Sequence, residues 1–388
     1  MDIDRKVALA HLMDLLGVEG TSGRERRVAE LVKRKLLAAG VKKSWMRHDG
    51  AHRKIAPDFE VGNLIVKLPG TVRAPRRLLS GHLDTVPLCR GVEPVRRGDR
   101  IVPKGPTALG GDNRTAVACI VTVLETILSR RMPHPPITAL FTIAEEIGLQ
   151  GARHVDVAAL GRPKIGFNID SGIPQRFVVG GIGGERWDVF IDGKAAHAGM
   201  HPEHGISASL IASRAIADVA RRGYFGKIVK QGKTGTSNVG ILRGGEATNQ
   251  VTDQVYLRGE SRSHDLGFLR HITSVYRRAF QEAAKSVRNH RGRRGHVRFV
   301  AERDYNPFRI DEASPAGEFT ARVTRSLGLR PSFIVVNGGL DANYLNAKGI
   351  PTVTLGAGQH GAHTLEEYIE TSEYFTGCRL ALALATRE

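Results

Sequence analysis

Cysteine is scarce in this sequence: 3 residues in 388, at Cys89, Cys119 and Cys378, odd in number and far apart. That excludes a disulfide framework and a CxxC metal knuckle, and it agrees with a reducing compartment. Long apolar runs are missing too. The longest, VACIVTVL (117–124) and LALALAT (380–386), fall well short of the roughly 20 residues a membrane span needs, so no transmembrane helix is expected. The start, MDIDRKVALAHLMDLL, alternates charged and apolar residues like a surface helix and lacks the basic-then-apolar order of a secretion signal, so the protein reads as cytoplasmic. No internal repeat or low-complexity segment is present. VVGGIGG (178–184) is Gly-rich but opens no helix, which argues against a phosphate loop.

Acidic residues are outnumbered, 39 against 57 Lys and Arg, for a formal charge of +18. Clustered basic residues bind nucleic acid by releasing phosphate counterions. Here the densest segment, SVRNHRGRRGHVRF (286–299), lies between a helical and a strand pattern, and the other basic residues are spread along the chain. Neither an RNP-like aromatic run nor zinc-finger spacing accompanies it. A solvated loop is the better reading, nucleic acid is not an expected partner, and the charge suggests a preference for acidic peptides.

With 388 residues and 41% hydrophobic content, the chain can build two ordinary domains with a sizeable core. Helical spacing over 4–16 and 23–39 gives way to short apolar strands alternating with helices: GNLIVKLP (62–69), RRLLSGHL (76–83), a helix from Asp112 to about Arg130, ITALFTIA (137–144) and KIGFNID (164–170). This predicts an α/β fold, a mainly parallel sheet covered by helices in three layers, with functional groups at the carboxyl ends of its strands. From Gly184 the order becomes β-α-β-β-α-β, the ferredoxin-like split arrangement of a small domain. After Asn306-Pro307 the first pattern resumes. The expected division is therefore 1–183 with 305–388 as one discontinuous domain and 184–304 as an inserted one.

Acids and histidines gather just past the strand ends: His82 and Asp84 in SGHLDTVP, Asp112 in ALGGDNRTAVA, Glu145 and Glu146 in AEEIG, Asp170 in NIDSG, His360 and His363 in GQHGAHTLEEYI. Each has an ordinary explanation alone. His-x-Asp is often a surface pair, Asp112 after two glycines reads as a helix N-cap, the paired glutamates as first-turn charges, and Asp170 as a turn residue. All of them together at one sheet edge read as a metal site. His82 and Asp84 face the same way on an extended segment, so Asp84 accepts one imidazole N–H and leaves the other nitrogen for a metal. Mixed N/O ligation without cysteine suits Zn²⁺, with Co²⁺ or Mn²⁺ in its place. One of the adjacent glutamates would then ligate while its neighbour acts as a base toward water.

SGHLDTVP, GGDNRTAVA, AEEIG, NIDSG and HTLEEY, in this order and with a βαββαβ insertion between the last two, closely resemble the M20 family of dizinc metallopeptidases and deacylases, most nearly its peptidase T-like members. The resemblance spans essentially the entire chain. It implies two Zn²⁺ per subunit, His82 and Asp170 holding one ion, Glu146 and His363 the other, and Asp112 bridging them. It further implies Glu145 as general base, Asp84 as the orienting partner of His82, and a cis peptide at Asp112–Asn113. His363 is chosen over His360 because His363-Thr-Leu-Glu-Glu367 matches the family's His-x-x-x-Glu ending. In GKAAHAGMHPEHGISA (193–208), His197 would reach the active site of the partner subunit in a homodimer formed through the inserted domain, and would stabilise the tetrahedral oxyanion. Asn249, Arg262, Gly338 and Gly339 fall where family members contact substrate, the two glycines permitting close backbone approach. The activity implied is release of the N-terminal residue of short peptides. A carboxypeptidase or an N-acyl-amino-acid deacylase is the alternative, since the metal motifs are common to all.

Overall fold

The computed structural model describes residues 2–387, which divide into two compact units, 2–181 with 308–387, and 182–307. In the larger unit a sheet runs in the order 46–48, 64–68, 137–142, 77–82, 165–169, 352–355, 176–181, 308–309, with 332–336 also paired to 176–181. Its four central strands, Ile137–Thr142, Arg77–His82, Ile165–Ile169 and Thr352–Leu355, are mutually parallel; antiparallel pairs flank them. Strands 77–82 and 137–142 are buried at every position, so both faces are covered and no polar alternation appears in their sequence.

The helices Gly111–Ser129 and Thr371–Thr386 are apolar nearly all round and largely buried, as befits helices enclosed within a layered core. Thr122 and Thr126 sit in the first of these without loss of pairing, because each hydroxyl donates to the carbonyl one turn back, at 2.7 Å. A separate antiparallel sheet orders 359–360, 368–370, 100–103 and 94–97, and His363 lies on the loop joining its first two strands.

The smaller unit carries a five-stranded antiparallel sheet in the order 226–230, 233–244, 254–263, 183–192, 296–305, with helices Ala208–Arg221 and Leu266–Ser286. The β-α-β-β-α-β order is present with one strand more than the sequence reading contained. Gly226–Lys230 pairs with the next strand through a two-residue turn at Gln231 (φ 50°) and Gly232 (φ 73°), the left-handed pair that suits a tight hairpin. Its core is built on Trp187, whose indole N–H donates to Ser261 Oγ at 3.2 Å and whose ring centroid lies 4.5 Å from that of Tyr276. The three cysteines are buried and unpaired, and among the described residues no helix is long and apolar enough to cross a membrane.

Candidate metal centre

Parallel strands end at a common edge, and three of them deliver their following residues there. His82 closes the strand 77–82, Glu145 and Glu146 follow 137–142, and Asp170 follows 165–169. Asp112 arrives from another direction, on a turn that Gly110 enters at φ 78°. Asp112 does not cap the helix as its sequence context suggested. At φ −81°, ψ 100° it is not yet helical, its peptide to Asn113 is cis, and no side chain caps the helix start. Its carboxylate is therefore turned to other partners.

Those partners are the two histidines. Asp112 Oδ1 lies 3.1 Å from His82 Nε2, and Oδ2 lies 3.4 Å from His363 Nε2. His363 Nε2 is also 2.8 Å and 3.0 Å from the two oxygens of Glu146. Glu145 and Asp170 each approach His82 Nε2 to 3.9 Å. One carboxylate thus reaches both histidines, His82 with Glu145 and Asp170 near it, and His363 with Glu146 near it. Donor atoms of His82, Asp112 and Glu146 lie within 4.8 Å of one another, as do those of His82, Glu145 and Asp170.

Asp84 is more than a partner for His82. His82 Nδ1 is nearer to the Asp84 carbonyl, at 3.0 Å, than to its carboxylate, at 3.4 Å. The carboxylate accepts the Ser22 hydroxyl at 2.6 Å and the backbone N–H groups of Glu145 at 3.1 Å and Glu146 at 3.2 Å. It fixes the turn on which the paired glutamates leave the sheet. With Nδ1–H donated to the carbonyl, His82 Nε2 is the nitrogen that faces the carboxylates and is placed to ligate an ion among them.

Charge shows what the site needs. Burial pushes Glu145 and Asp170 well above the ordinary carboxylate range, and Asp170 is raised further by Asp112, Glu145 by Asp170. His363 is raised to about 10 by its bonds to Asp112 and Glu146. Several buried carboxylates cannot all ionise unless cations lie among them, and protons on the imidazoles supply that charge only in part. Divalent ions fit the donor set. Metal bonds of about 2.0–2.2 Å at tetrahedral angles place neighbouring N and O ligands roughly 3.2–3.6 Å apart, and the Asp112 spacings of 3.1 and 3.4 Å lie close to or within that range.

Supporting residues escaped the sequence reading. Glu25, within a helical pattern, is buried; it accepts N–H groups from Gly23 at 2.9 Å and Ala144 at 3.0 Å, and burial together with Asp84 raises it to about 7. Asp341, in GGLDANYL, accepts the Thr142 hydroxyl and is raised by burial to about 6. Buried Arg114 donates to the carbonyls of Leu83, Val18 and Gly20, tying the segment after His82 to the N-terminal loop. They share no local signal: Glu25 stands between arginines and Arg114 follows Asp112 and Asn113, so periodicity alone cannot separate them from solvated positions.

Glu367 is a further support. Its carboxylate accepts N–H groups from Leu109 at 2.7 Å, Gly110 at 2.7 Å and Asp112 at 3.0 Å. Glu367→Ala leaves three enclosed donors without acceptors and is expected to cost on the order of 3 kcal/mol. Urea unfolding should show a lower midpoint at unchanged slope; a midpoint within error of the parent would refute this role.

Of the remaining candidates, Gly339 lines the cleft with Leu340 and His363. Gly338 is exposed, and a Cβ there would meet open space. His360 is engaged by Glu373 at 2.5 Å and stacks on Tyr368, ring centroids 5.0 Å apart. In the smaller unit His197 is exposed, its Nδ1 accepting N–H groups of Gly199 at 3.2 Å and Met200 at 3.1 Å, which leaves Nε2 as the protonated donor. Asn249 is beside it, its carbonyl accepting the Ala198 N–H at 2.8 Å. Arg262 is forked onto Glu260 at 2.9 and 3.0 Å.

The model of Peptidase family M20/M25/M40 matches residues 78–387. The chain is 30% identical over 379 residues to the uncharacterized protein YqjE of Bacillus subtilis (strain 168), covering 96% of this chain and 97% of that protein. The crystal structure of aminopeptidase PepT from Bacillus cereus ATCC 10987 superposes with a TM-score of 0.85 at 29% identity, over 99% of this chain and 98% of that one. A tripeptidase from Staphylococcus aureus subsp. aureus Mu50 gives a TM-score of 0.86 at 29% identity with the same coverages.

Proposed function

The chain belongs to peptidase family M20/M25/M40 and is a peptidase T-like hydrolase, and from that premise we propose that it is a cytoplasmic two-metal aminopeptidase releasing the N-terminal residue of short peptides, tripeptides above all. The observation that carries the two-metal part of this reading is the placing of the two Asp112 oxygens, one toward His82 and the other toward His363, while the aminopeptidase part is supported by the likeness to PepT and to the tripeptidase.

His82, Asp170 and Asp112 would hold one ion, Glu146, His363 and Asp112 the second, with Zn²⁺ the best match to the N/O donors. When bound, the two ions supply Lewis acidity toward the scissile carbonyl and lower the pKa of attacking water. Glu145 does the proton work. Its backbone is fixed by Asp84 and its side chain is buried in the cleft, so it takes the water proton and returns it to the leaving amine. His197 offers an Nε2–H donor of the kind an oxyanion needs. Because it is exposed in its own unit, we assign it to the active site of a partner subunit in a homodimer formed through the smaller unit.

The test is hydrolysis of a dipeptide, a tripeptide, an N-acetylated amino acid and an N-blocked tripeptide, before and after EDTA and with Zn²⁺ restored. Cleavage of only the free-amino tripeptide, lost with EDTA and regained with Zn²⁺, is the expected outcome. Cleavage of the blocked compounds would make the protein a carboxypeptidase or deacylase, and EDTA-resistant cleavage would refute the metal mechanism.

A further inference from the structure

A second group of ligating side chains lies wholly within the smaller unit. His201 and His204 flank Glu203 on the short 3₁₀ turn Pro202–His204. In such a turn residues three apart are eclipsed, and the two imidazoles are accordingly stacked, with centroids 4.8 Å apart and planes 12° apart. His201 Nδ1 lies 3.3 Å and His204 Nε2 3.5 Å from the same oxygen, Glu203 Oε1. These distances match the roughly 3.3 Å between neighbouring ligands of a tetrahedral ion with bonds of about 2.0–2.1 Å, and because an imidazole lone pair lies in its ring plane, one of the two nearly parallel rings turns when both hold the same ion.

We propose that His201, Glu203 and His204 form a surface site for a borderline divalent transition-metal ion of the Zn²⁺ or Cu²⁺ class, built from the smaller unit alone.

The turn is held before any ion arrives. Pro202 fixes its first position, the His201 N–H donates to the His197 carbonyl at 3.1 Å, and the Glu203 carbonyl accepts both the backbone N–H of His290, at 2.9 Å, and its ring Nδ1–H, at 3.1 Å. His290 also stacks on His204, centroids 4.3 Å apart. It is not a fourth ligand, because its Nε2 accepts from Arg291 Nε at 3.3 Å. The three ligating side chains are 46–60% exposed, so water can complete the coordination.

The surroundings select the class of ion. Two of the three donors are imidazole nitrogens, and Lys194 adds positive charge nearby. The same positive field opposes hard ions such as Mg²⁺ and Ca²⁺, whose binding depends on several anionic oxygens. Imidazole nitrogen bonds to Zn²⁺ or Cu²⁺ do not depend on net negative charge.

The full chain, His201→Ala/His204→Ala and Glu203→Gln are dialysed to equilibrium against buffered free Zn²⁺, and zinc per chain is counted at saturation, with and without excess Mg²⁺. The full chain should hold one zinc more than the double variant, and Mg²⁺ should not remove it; Glu203→Gln should need at least tenfold more free Zn²⁺ to fill the same site. Because the readout is a difference, it is independent of how many ions the acidic cleft of the larger unit retains. Should the double variant not fold, His204→Ala alone carries the same test. Equal zinc in the parent and a folded variant, or displacement of the extra ion by Mg²⁺, overturns the proposal.

Discussion

Replacing Glu145 by Gln is expected to lower kcat on a cleaved tripeptide by about 1,000-fold, within the roughly 10²–10⁴ that positioned proton transfer contributes, equivalent to about 4 kcal/mol of barrier. Gln keeps the shape and the backbone N–H bond to Asp84 but cannot take a proton. The expected signature is therefore a loss in kcat with KM and bound metal near the parent values, since the removed interaction acts in the transition state. Burial makes this carboxylate unusual, raising it well above its ordinary range, and the nearby Asp170 and Asp341 raise it further. If Glu145 were a ligand and Glu146 the base, Glu145→Gln would instead release metal and Glu146→Gln would retain it. Metal counts on the two variants separate these assignments, and loss of metal from Glu145→Gln with retention in Glu146→Gln would exchange the roles of the two glutamates.

How much of this was legible in the sequence follows from how each residue is placed. His82, the glutamate pair and Asp170 each follow a short apolar run, and a parallel sheet brings such positions to one edge whatever the details of packing. The same rule cannot reach Glu25 or Asp341. Each lies next to helical spacing, where a charge ordinarily faces water, and only tertiary contact encloses it. Asp112 was legible in position but not in local conformation. Two glycines before an Asp and an apolar helix are an N-cap signature, yet the backbone at 112–113 is not helical and the carboxylate goes to the histidines. Asp84 was assigned to His82, a pairing that period-two alternation supports, while its bonds to the N–H groups of Glu145 and Glu146 join segments about sixty residues apart and leave no local trace. The strands 94–97, 100–103 and 226–230 were missed for another reason. Each carries basic residues at exposed positions, so the alternation that marks a half-buried strand is weak.

Asp112→Ala should abolish both metal sites of the cleft at once and reduce peptide hydrolysis to background, because one carboxylate faces both histidines. The comparison that gives this force is His363→Ala, which removes a ligand from one side only, leaving His82, Asp170 and Asp112 together. Metal held in the cleft per chain after dialysis is expected near zero for Asp112→Ala and near one for His363→Ala, against two for the parent. Thermal unfolding with metal should follow the same order, since an ion bound only by the native state stabilises it by RT ln(1 + [L]/Kd), about 4 kcal/mol at a thousandfold excess over Kd. The fold should survive the Asp112 change. The side chain caps no helix, and the backbone N–H of residue 112 stays bonded to Glu367 whatever side chain it carries. Native far-UV circular dichroism in a chain whose cleft binds no metal is thus part of the expected result. Two ions retained in the cleft of Asp112→Ala would show that the sites are filled independently, and the bridging role of this aspartate would have to be abandoned.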